Sequence, residues 1–553
     1  MSKNLLVAVN ASYSHTCLAV RSINQFVKNK LGDDAVDFVE FTINQPVGEI
    51  LRGIAQKKPA TVLFATYIWN AEIICKIIPD VKKILPDVKI GAGGPEAGFA
   101  ADIYLKKLSS LDFIFFGEGE ETVCDVCAGK NLADVKSIFY RNQADGKTVF
   151  TGERELICNL EKLCFAYPEL KNPQTVDFNK IYYYESSRGC PYSCAYCMSS
   201  LDKRVRFMPL ERVYKDLQCF LDAGVPLVKF VDRTYNLQPE RYIAIWEYIL
   251  QHHNGKTMFH FEIEAEYLSE EALQFLQKVP EGVMQFEIGV QSTNKKTLQA
   301  VGRSPDVEKL AANVKRIPRT IHQHLDLIAG LPYEDLESFG KSFDEVISLK
   351  PDALQLGFLK VLHGTQMEKY AEQNGWKWME NPVYETFSTP YLSYDDMLFL
   401  KDIEVVLDAY WNSGVFANTM EYIGRHFGFW KFFCQMVEFG RSKGTFEAPR
   451  RETYWFELLS AYTQTDAVIS NLLRYDFILR GKQGNYPLWY EHRYNKERHR
   501  ELLEAEHNQN DDKKTPFNAR LEFGHSEYEV FDFDVEKKCP ENYPGTFEKL
   551  IKY

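Results

Sequence analysis

The segment that decides the fold of this chain is Arg188-Gly189-Cys190-Pro191-Tyr192-Ser193-Cys194-Ala195-Tyr196-Cys197. Its three cysteines, Cys190, Cys194 and Cys197, follow the spacing Cys-x-x-x-Cys-x-x-Cys. An iron–sulfur cubane is normally held by four thiolates. Three thiolates with no fourth in register leave one iron with an open position, and a substrate or cofactor binds at such a position. Three unrelated thiols, or a zinc site with a distant fourth ligand, are the alternatives.

The cysteine motif, with an aromatic residue before its last cysteine, resembles the signature of the radical S-adenosylmethionine enzymes. The resemblance implies a [4Fe-4S] cluster on Cys190, Cys194 and Cys197, and S-adenosylmethionine on the open iron. It also implies that one electron from the cluster cleaves S-adenosylmethionine to a 5′-deoxyadenosyl radical.

Length and composition describe a globular chain of several domains. Its 553 residues predict about two to four domains. The formal net charge of -12 disfavours nucleic acid as a partner. The apolar stretch at the N-terminus is too short for a signal peptide, and no run approaches the ~20 apolar residues of a membrane span. We therefore expect a cytoplasmic protein whose 12 cysteines are thiols or metal ligands.

Residues 1–128 alternate short apolar strands with amphipathic helices. This pattern predicts an α/β domain with a doubly wound parallel sheet and helices on both of its faces. Parallel sheets of this type bind ligands at the carboxyl ends of their strands. Glycine-rich loops follow the last two predicted strands, at residues 91–96 and 117–120, and let a bulky ligand approach the backbone closely.

These loops resemble those of the cobalamin-dependent radical S-adenosylmethionine enzymes, whose N-terminal domain binds cobalamin. The matching segments are residues 10–15, 66–70, 93–97 and 112–120. The resemblance implies that the loops surround the corrin ring and the nucleotide tail. The residues expected there are Tyr13, Ser14, His15, Thr66, Tyr67, Gly93, Gly94, Pro95, Glu96, Gly117, Glu118, Gly119 and Glu120.

His15 departs from the pattern that places a histidine on cobalt. That pattern is Asp-x-His-x-x-Gly, whereas here Tyr13 replaces the aspartate and Leu18 the glycine. We therefore expect His15 at the corrin edge or as a polar loop residue, with cobalt ligation as the alternative.

A connector at residues 129–180 leads to a second α/β domain at residues 181–365. The connector contains Asp145-Gly146, a hairpin signal. Six strand–helix units then predict a partial (β/α)6 barrel of the TIM type, whose active site lies at the carboxyl ends of the strands. The predicted strands are residues 181–186, 227–232, 258–264, 283–290, 321–329 and 354–362.

The ends of the later barrel strands also match the radical superfamily. The resemblance implies that Asp232 and Arg233 hold the amino end of S-adenosylmethionine, and that the backbone of Ile328 and Ala329 lies along the adenine. Glu287 and Gln291 share one face of a strand by its two-residue period, and we expect them to be catalytic. Two further sets share a face, with a solvated or ion-paired strand end as the alternative role: Glu262 with Glu264, and His322 with His324 and Asp326.

Residues 366–553 are predicted to be mainly helical, with helices at 394–412, 420–439, 453–460 and 465–479. A loop at 508–515 and a strand pair at 520–523 and 528–535 follow. The region resembles the uncharacterised C-terminal extension of one branch of the cobalamin-dependent enzymes. Its aromatic residues include Tyr410, Trp411, Trp430, Phe432 and Phe433. We interpret them as helix packing, with a substrate lid as the alternative.

The leading functional hypothesis is an enzyme that methylates an unactivated carbon of a small molecule rather than a macromolecule. An electron donor such as flavodoxin or ferredoxin is then expected. One alternative keeps the three cofactors, namely the [4Fe-4S] cluster, S-adenosylmethionine and cobalamin, but runs a non-methylating rearrangement, cyclisation or oxidation. A non-catalytic cobalamin-binding sensor is a weaker alternative, because it would not need the cysteine motif.

Overall fold

The computed structural model describes residues 4–142, 146–463 and 466–480, positions 487 and 489, and the backbone of short strands within residues 514–540. The chain divides into two compact units. The first contains Met1–Asp335 and Gly357–Ser393, and the second contains Leu336–Leu356 and Tyr394–Tyr553. No helix within the described ranges has both the length and the apolar character needed to span a bilayer.

The first unit begins with a seven-stranded sheet in the order β2-β1-β3-β4-β5-β6-β7. Strands β1 to β5 pair in parallel, as predicted. The predicted hairpin is also confirmed, and it adds β6 and β7 antiparallel to β5, so it extends this sheet. The strands are β1 Asn4–Asn10, β2 Val36–Thr42, β3 Thr61–Ala65, β4 Lys89–Gly93, β5 Phe113–Phe115, β6 Ile138–Arg141 and β7 Thr148–Phe150.

Helices cover both faces of this sheet because successive strand residues point to opposite sides. Val7 and Phe64 pack in one apolar cluster, and Leu6 and Leu63 pack in another. This confirms the doubly wound arrangement. The helices are α1 Leu18–Leu31, α2 Val47–Gln56, α3 Ala71–Ile84, α4 Pro95–Phe99, α5 Ala101–Lys107 and α6 Glu120–Cys127.

The second sheet of the first unit is the predicted partial barrel. Its strands follow the order β15-β14-β13-β12-β11-β8. The last of them, β15, lies at the boundary of the units, with residues 353–356 in the second unit. A short two-stranded ladder of β9 and β10 flanks the cysteine loop. The strands are β8 Ile181–Tyr184, β9 Ser187–Arg188, β10 Arg206–Phe207, β11 Leu227–Phe230, β12 Met258–Ile263, β13 Met284–Gln291, β14 His322–Ala329 and β15 Ala353–Phe358.

The helices between these strands follow the strand–helix alternation expected of a barrel. Those of the first unit are α7 Leu210–Ala223, α8 Pro239–His252, α9 Glu270–Leu276, α10 Lys295–Ala300 and α11 Val307–Arg316. The next helix along the chain, α12 Leu336–Ile347, belongs to the second unit. After β15 come α13 Gln366–Gln373 and a small antiparallel ladder of β16 Lys377–Trp378 with β17 Thr386–Ser388.

The second unit is mainly helical, as predicted, but the helix expected over residues 420–439 is wrong. Gly428 adopts a positive φ of 79°, which ends one helix and begins the next. The helices are α14 Tyr394–Leu407, α15 Ala417–His426, α16 Phe429–Ser442, α17 Glu452–Tyr462 and α18 Ala467–Leu479, and a π-helical turn, Asp408–Asn412, follows α14.

Aromatic side chains of this unit pack within it. Tyr410 and Phe433 are buried, and the Trp411 indole donates to the Pro351 carbonyl oxygen at 3.0 Å. This supports helix packing for these residues. The expected strand pair is present in the backbone as Ala519–Phe523 with Ser526–Val530. The loop expected over residues 508–515 is wrong at Lys514–Thr515, which form a short strand paired with Phe533–Asp534. Residues 508–513, 531–532 and 535 lie outside the described residues.

Candidate active site

The cysteine loop begins after β9 and is held by backbone hydrogen bonds to distant segments. The Cys190 N–H donates to Asp202 O, and the Ala195 N–H donates to Val301 O, each at 2.9 Å. Gly189 has a φ of 91°, and a side chain there would collide with the Arg204 carbonyl oxygen. These constraints place the loop at the carboxyl end of the first barrel strand, where barrel active sites lie.

The three thiols differ in burial. Cys190 is buried, with its sulfur 3.5 Å from Thr234 Oγ1, while Cys194 and Cys197 are half-buried. Burial raises the pKa of the Cys194 thiol to about 11, and the nearby Arg303 guanidinium partly opposes this shift. All three cysteines are free thiols. Three thiols on one short, fixed loop are the donor set that a [4Fe-4S] cluster with one open iron requires.

In the part of the chain that the structure describes, no three histidine, cysteine, aspartate or glutamate side chains converge on one point as ligands of one ion do. A cubane does not need such convergence, because each thiolate binds a different iron.

Arg303 is a site residue that the sequence reasoning missed, as are Lys229 and His260 beside Glu287. Arg303 Nη1 lies 4.0 Å from the Cys194 sulfur, and its Nη2 donates to Glu264 Oε2 at 2.5 Å and to Gly289 O at 2.7 Å. The guanidinium is therefore a fixed positive charge beside the cysteine loop. No local pattern marks Arg303, because its partners belong to β13, the cysteine loop and the residue after β12.

Glu287 is the centre of a polar network inside the barrel. Lys229 donates to Glu287 Oε2 at 2.9 Å, and His260 Nε2 lies 3.0 Å from the same oxygen. Burial opposes ionisation of Glu287, but the adjacent His260 ring and the Lys229 ammonium group outweigh it and lower the pKa of the carboxyl to about 2. Glu287 is therefore held as a carboxylate.

Gln291 lies at an irregularity of β13. It has a φ of 68°, and the pairing register with β14 shifts between Gly289 and Gln291. The Gln291 amide folds over Gly289, into the space that a side chain at position 289 would fill. Glu287, Gly289 and Gln291 alternate with the buried Phe286 and Ile288, as the two-residue period predicts.

The structure places Asp232 beneath the entry to the cysteine loop. Its buried carboxylate accepts from the Ser186 N–H at 3.0 Å, the Ser186 hydroxyl at 2.7 Å and the Ser187 hydroxyl at 2.5 Å. These contacts fix the segment that leads into the motif, whereas Arg233 is exposed.

Ile328 and Ala329 lie at the end of β14. Ile328 packs against the apolar cluster that contains Ala195, and Ala329 O accepts from the Leu359 N–H at 2.9 Å. The strand end is thereby packed beside the cysteine loop.

The loops after β3 and β4 meet at the carboxyl edge of the first sheet. The Thr66 N–H donates to Gly93 O at 2.7 Å. Gly94 has a φ of 100°, and a Cβ there would lie 2.6 Å from Thr66 O. The Thr66 hydroxyl is buried and has no hydrogen-bond partner among the described residues. A backbone cradle with a free buried hydroxyl suits the close approach of a large polar ligand.

The neighbouring residues of this edge have different surroundings. The ring of Tyr67 stacks on Trp69, with centroids 4.3 Å apart, and Pro95 begins α4. The Glu96 carboxylate is buried and accepts from the hydroxyls of Tyr104 at 2.8 Å and Tyr384 at 2.5 Å. Glu96 therefore anchors its loop with its side chain.

The Gly117–Glu120 segment contacts the ladder beside the cysteine loop. Glu118 Oε1 accepts from Arg206 at 2.7 Å, and Glu120 Oε1 accepts from Arg188 at 2.5 Å. Gly117 has a φ of 73°, and a Cβ at Gly119 would press on Ile23. Both acidic side chains thus join the first sheet to the barrel.

The loop after β1 also contacts the barrel, at β8 and the residues just before it. The Tyr13 hydroxyl donates to Asp177 at 2.8 Å, and Ser14 O accepts from the Ile181 N–H at 2.7 Å. His15 Nδ1 lies 2.5 Å from the Tyr183 hydroxyl, and burial lowers the pKa of His15. One ring nitrogen of His15 is therefore already in contact with a barrel residue.

Three family models match successive parts of the chain. Residues 4–127 match the B12 binding domain, residues 184–346 match the radical SAM superfamily, and residues 372–549 match a protein family of unknown function, DUF4080.

The similar proteins have low sequence identity to this chain. An uncharacterised methyltransferase of Pyrococcus horikoshii is 25% identical over 56% of this chain and 67% of its own length. The cobalamin-dependent radical SAM methyltransferase TokK of Streptomyces tokunonensis is 24% identical over 55% of this chain, and the alignment spans about half of TokK, 47%. An anaerobic magnesium-protoporphyrin IX monomethyl ester cyclase of Synechocystis is 22% identical over 70% of this chain and 75% of its own length.

Solved structures share the fold. The cobalamin-dependent S-adenosylmethionine radical enzyme OxsB aligns with a TM-score of 0.61 and 14% identity over 91% of this chain and 81% of OxsB. The radical S-adenosylmethionine methyltransferase TsrM of Kitasatospora setae aligns with a TM-score of 0.54 and 15% identity over 69% of this chain and 80% of TsrM.

A B12-binding sheet followed by a radical SAM barrel with its cysteine loop defines the class of cobalamin-dependent radical S-adenosylmethionine enzymes. This chain has both domains of that class, and a DUF4080 region follows them.

Proposed function

We propose that this protein methylates a carbon atom of a small molecule, with a [4Fe-4S] cluster, S-adenosylmethionine and cobalamin as cofactors. The observation that carries the proposal is the direct junction between two sets of loops in one compact unit. Glu118 and Glu120 of the cobalamin-type loops pair with Arg206 and Arg188 beside the cysteine motif. The names of the relatives from Pyrococcus and Streptomyces support methyl transfer.

Each cofactor is assigned to residues of this chain. Cys190, Cys194 and Cys197 would hold the cluster. Glu287 and Gln291, with Arg233 and the strand end at Ile328 and Ala329, would hold S-adenosylmethionine. The backbone around Thr66, Gly93, Gly94 and Gly117 would receive cobalamin, with Tyr67 and the loop Tyr13–Ser14–His15 at its rim.

Several side chains first assigned to cofactor contact act by positioning other groups. Asp232 orients the entry to the cysteine loop through Ser186 and Ser187. Glu96 anchors the loop after β4 through Tyr104 and Tyr384. Their carboxylates are paired and also buried, at 1% exposure for Asp232 and 5% for Glu96, so we assign them no cofactor contact. Glu287 is paired too but keeps an exposure of 25%.

The cofactors, when bound, supply the electron, the deoxyadenosyl radical and the methyl group. The protein's part is to hold them at one place and to keep charges fixed around them. Arg303 keeps a positive charge beside Cys194, and Glu287 keeps a negative charge inside the barrel. A reduced flavodoxin or ferredoxin is the proposed electron donor.

Anaerobic incubation with S-adenosylmethionine labelled in its methyl group tests this function. The reconstituted enzyme is mixed with cobalamin, a reductant and a metabolite extract, and labelled products are identified by mass spectrometry. We expect a labelled small molecule that is absent with the Cys190→Ala/Cys194→Ala/Cys197→Ala variant. Substrate consumption without label in any product would contradict methyl transfer.

An oxidative cyclisation with the same cofactors is the second candidate. The Synechocystis cyclase supports it, since its alignment covers 70% of this chain. The same incubation separates the two reactions, because a cyclase yields an unlabelled product that has lost hydrogen.

A further inference from the structure

Residues 361–386, named here the bridging segment, form a closed loop after β15 that lies within the first unit. Backbone hydrogen bonds hold its two ends together, from the Val361 N–H to Tyr384 O and from the Thr386 N–H to Leu359 O, each at 2.9 Å. The match to the family of unknown function begins at residue 372, in the middle of this segment. The start of that family region is therefore a fixed part of the first unit.

The bridging segment contacts the cysteine loop. The Met367 N–H donates to Ala195 O at 2.9 Å, and the Ala195 N–H donates to Val301 O. Met367 and Trp376 are also buried in the apolar cluster that contains Ala195. Ala195 lies between the second and third cysteines of the motif, so both of its backbone groups are held by elements outside the loop.

The contact with the cysteine loop comes from the first turn of α13. Thr365 and Glu368 follow the Ser/Thr-x-x-Glu pattern of a capping box. The Thr365 hydroxyl accepts from the Glu368 N–H at 3.3 Å, and the Glu368 carboxylate accepts from the Gly364 N–H at 2.8 Å. The N–H groups of a first helical turn have no partner within the helix. The Met367 N–H is therefore available to the cysteine loop, and the cap fixes its direction.

The same segment contacts the loop after β4, which belongs to the expected cobalamin site. Tyr384 is buried, and its hydroxyl donates to Glu96 Oε1 at 2.5 Å. The same oxygen accepts from the Tyr104 hydroxyl at 2.8 Å. Gly364 has a φ of 80°, and a Cβ there would lie 2.6 Å from the Phe99 ring of α4. The segment thus packs directly against the helix that follows this loop.

These contacts connect the two cofactor loops through one segment with fixed ends. The connection is separate from the ion pairs of Glu118 and Glu120, which lie on the loop after β5. The relative position of reacting groups matters for rate, because a displacement of ~1 Å lowers it by roughly 100-fold. A segment that holds both loops is suited to fix that position.

We propose that the bridging segment sets the position of cobalamin relative to the iron–sulfur cluster, with Tyr384 as the positioning residue of the cobalamin loop. The Tyr384 hydroxyl acts through Glu96, and we assign it no cofactor contact. The inference rests on the cofactor sites of the proposed function. It also assigns a role to the first residues of the family region of unknown function.

The magnetic interaction between cob(II)alamin and the reduced cluster reports this relative position. The reconstituted full-length enzyme is saturated with hydroxocobalamin, reduced anaerobically without substrate, and measured by pulsed electron paramagnetic resonance. The variant is Tyr384→Phe, which keeps the ring and removes the hydroxyl. Tyr104→Phe removes the other hydroxyl on the same Glu96 oxygen, and Tyr248→Phe removes a hydroxyl that contacts Gln218 at 2.8 Å between α8 and α7.

We expect one narrow distribution of distances between the two spins in the wild type, Tyr104→Phe and Tyr248→Phe. Tyr384→Phe should broaden or shift this distribution. It should also weaken hydroxocobalamin binding roughly tenfold, the loss expected for a hydrogen bond to a buried carboxylate. A distribution in Tyr384→Phe with the centre and width of the wild type overturns the inference, whatever the affinity. An equal change in Tyr104→Phe also overturns it, because Glu96 alone then accounts for the effect.

Two glycines of the bridging segment give a second test that keeps the Tyr384 hydroxyl. Gly364 and Gly375 both have a positive φ, of 80° and 70°. A Cβ at Gly364 would press on Phe99, whereas no described atom lies within 4 Å of a Cβ at Gly375. Gly364→Ala should change the spin distance and Gly375→Ala should not, and equal results for the two overturn the inference. This pair decides if Tyr384→Phe binds too little cobalamin for the measurement.

The spin measurement is independent of methyl transfer, because it uses no substrate. A changed distance in Tyr384→Phe, with no labelled product from the wild type, supports the positioning role and contradicts the proposed function. Labelled product from the wild type, with an unchanged distance in Tyr384→Phe, supports methyl transfer and contradicts the positioning role.

Discussion

Glu120, at the start of α6, and Arg188, two residues before Cys190, form a buried ion pair with 2.5 Å between Oε1 and Nη2. The pair joins the last glycine-rich loop of the first sheet to the strand that enters the cysteine motif. Arg188 also contacts Glu185 at 2.8 Å and Glu118 at 3.5 Å. The cluster loop is therefore positioned partly by the domain expected to bind cobalamin.

The variant Glu120→Gln should destabilise the protein by about 1–3 kcal/mol, since it leaves a buried guanidinium with weaker partners. We expect a lower denaturation midpoint and less iron bound after reconstitution. The matched control is Glu121→Gln, because Glu121 is 39% exposed and lies 3.5 Å from Arg154. Equal effects of the two substitutions would show that the Glu120–Arg188 pair has no special role.

Gly94 should be essential for cobalamin binding. The variant Gly94→Ala places a Cβ 2.6 Å from Thr66 O at a φ of 100°, so the loops after β3 and β4 must separate. We expect cobalamin affinity, measured by absorbance titration, to fall at least tenfold while iron content is unchanged. Gly32→Ala is the control, because its φ of 93° imposes similar strain but no described atom lies within 4 Å of the added Cβ.

Arg303 should tune the cluster by its charge. Its guanidinium lies 4.0 Å from the Cys194 sulfur, and a nearby positive charge favours the reduced cluster. Arg303→Gln should lower the reduction potential on the order of tens of millivolts, measured by a redox titration followed with electron paramagnetic resonance. Arg303→Lys keeps the charge and should restore most of the potential. A potential that is the same in both variants would argue against an electrostatic role.

Local patterns were enough to predict the two parallel sheets and the two faces of β13. The alternation in β13 correctly placed Phe286 and Ile288 in the core and Glu287 on the opposite face. Strand–helix alternation likewise predicted both parallel sheets, because burial of one or both faces of a strand or helix determines the spacing of its apolar residues.

Contacts between residues far apart in the sequence could not be predicted from a local pattern. Glu120 and Arg188 are 68 residues apart in sequence, and Glu96 and Tyr384 are 288 residues apart. Their pairing depends on how the domains pack, and the periodicity of apolar residues within one strand or helix does not predict that packing. The sequence therefore placed Glu96 and Glu120 in the cofactor region but did not predict the residues with which they pair.

The break at Gly428 shows a limit of a different kind. Apolar spacing continues across it and predicted one helix, but the positive φ of Gly428 divides that segment between α15 and α16. A glycine within an apolar helical pattern is compatible with either outcome, so the tertiary packing decides.

The most direct test of the central claim is the ratio of the two products of S-adenosylmethionine during turnover. One molecule supplies the radical and leaves 5′-deoxyadenosine, and another supplies the methyl group and leaves S-adenosylhomocysteine. Both are quantified by mass spectrometry during anaerobic turnover of the substrate, with the triple cysteine variant as control. We expect comparable amounts of the two and one labelled methyl group per product, whereas 5′-deoxyadenosine formed with product but without S-adenosylhomocysteine would contradict methyl transfer.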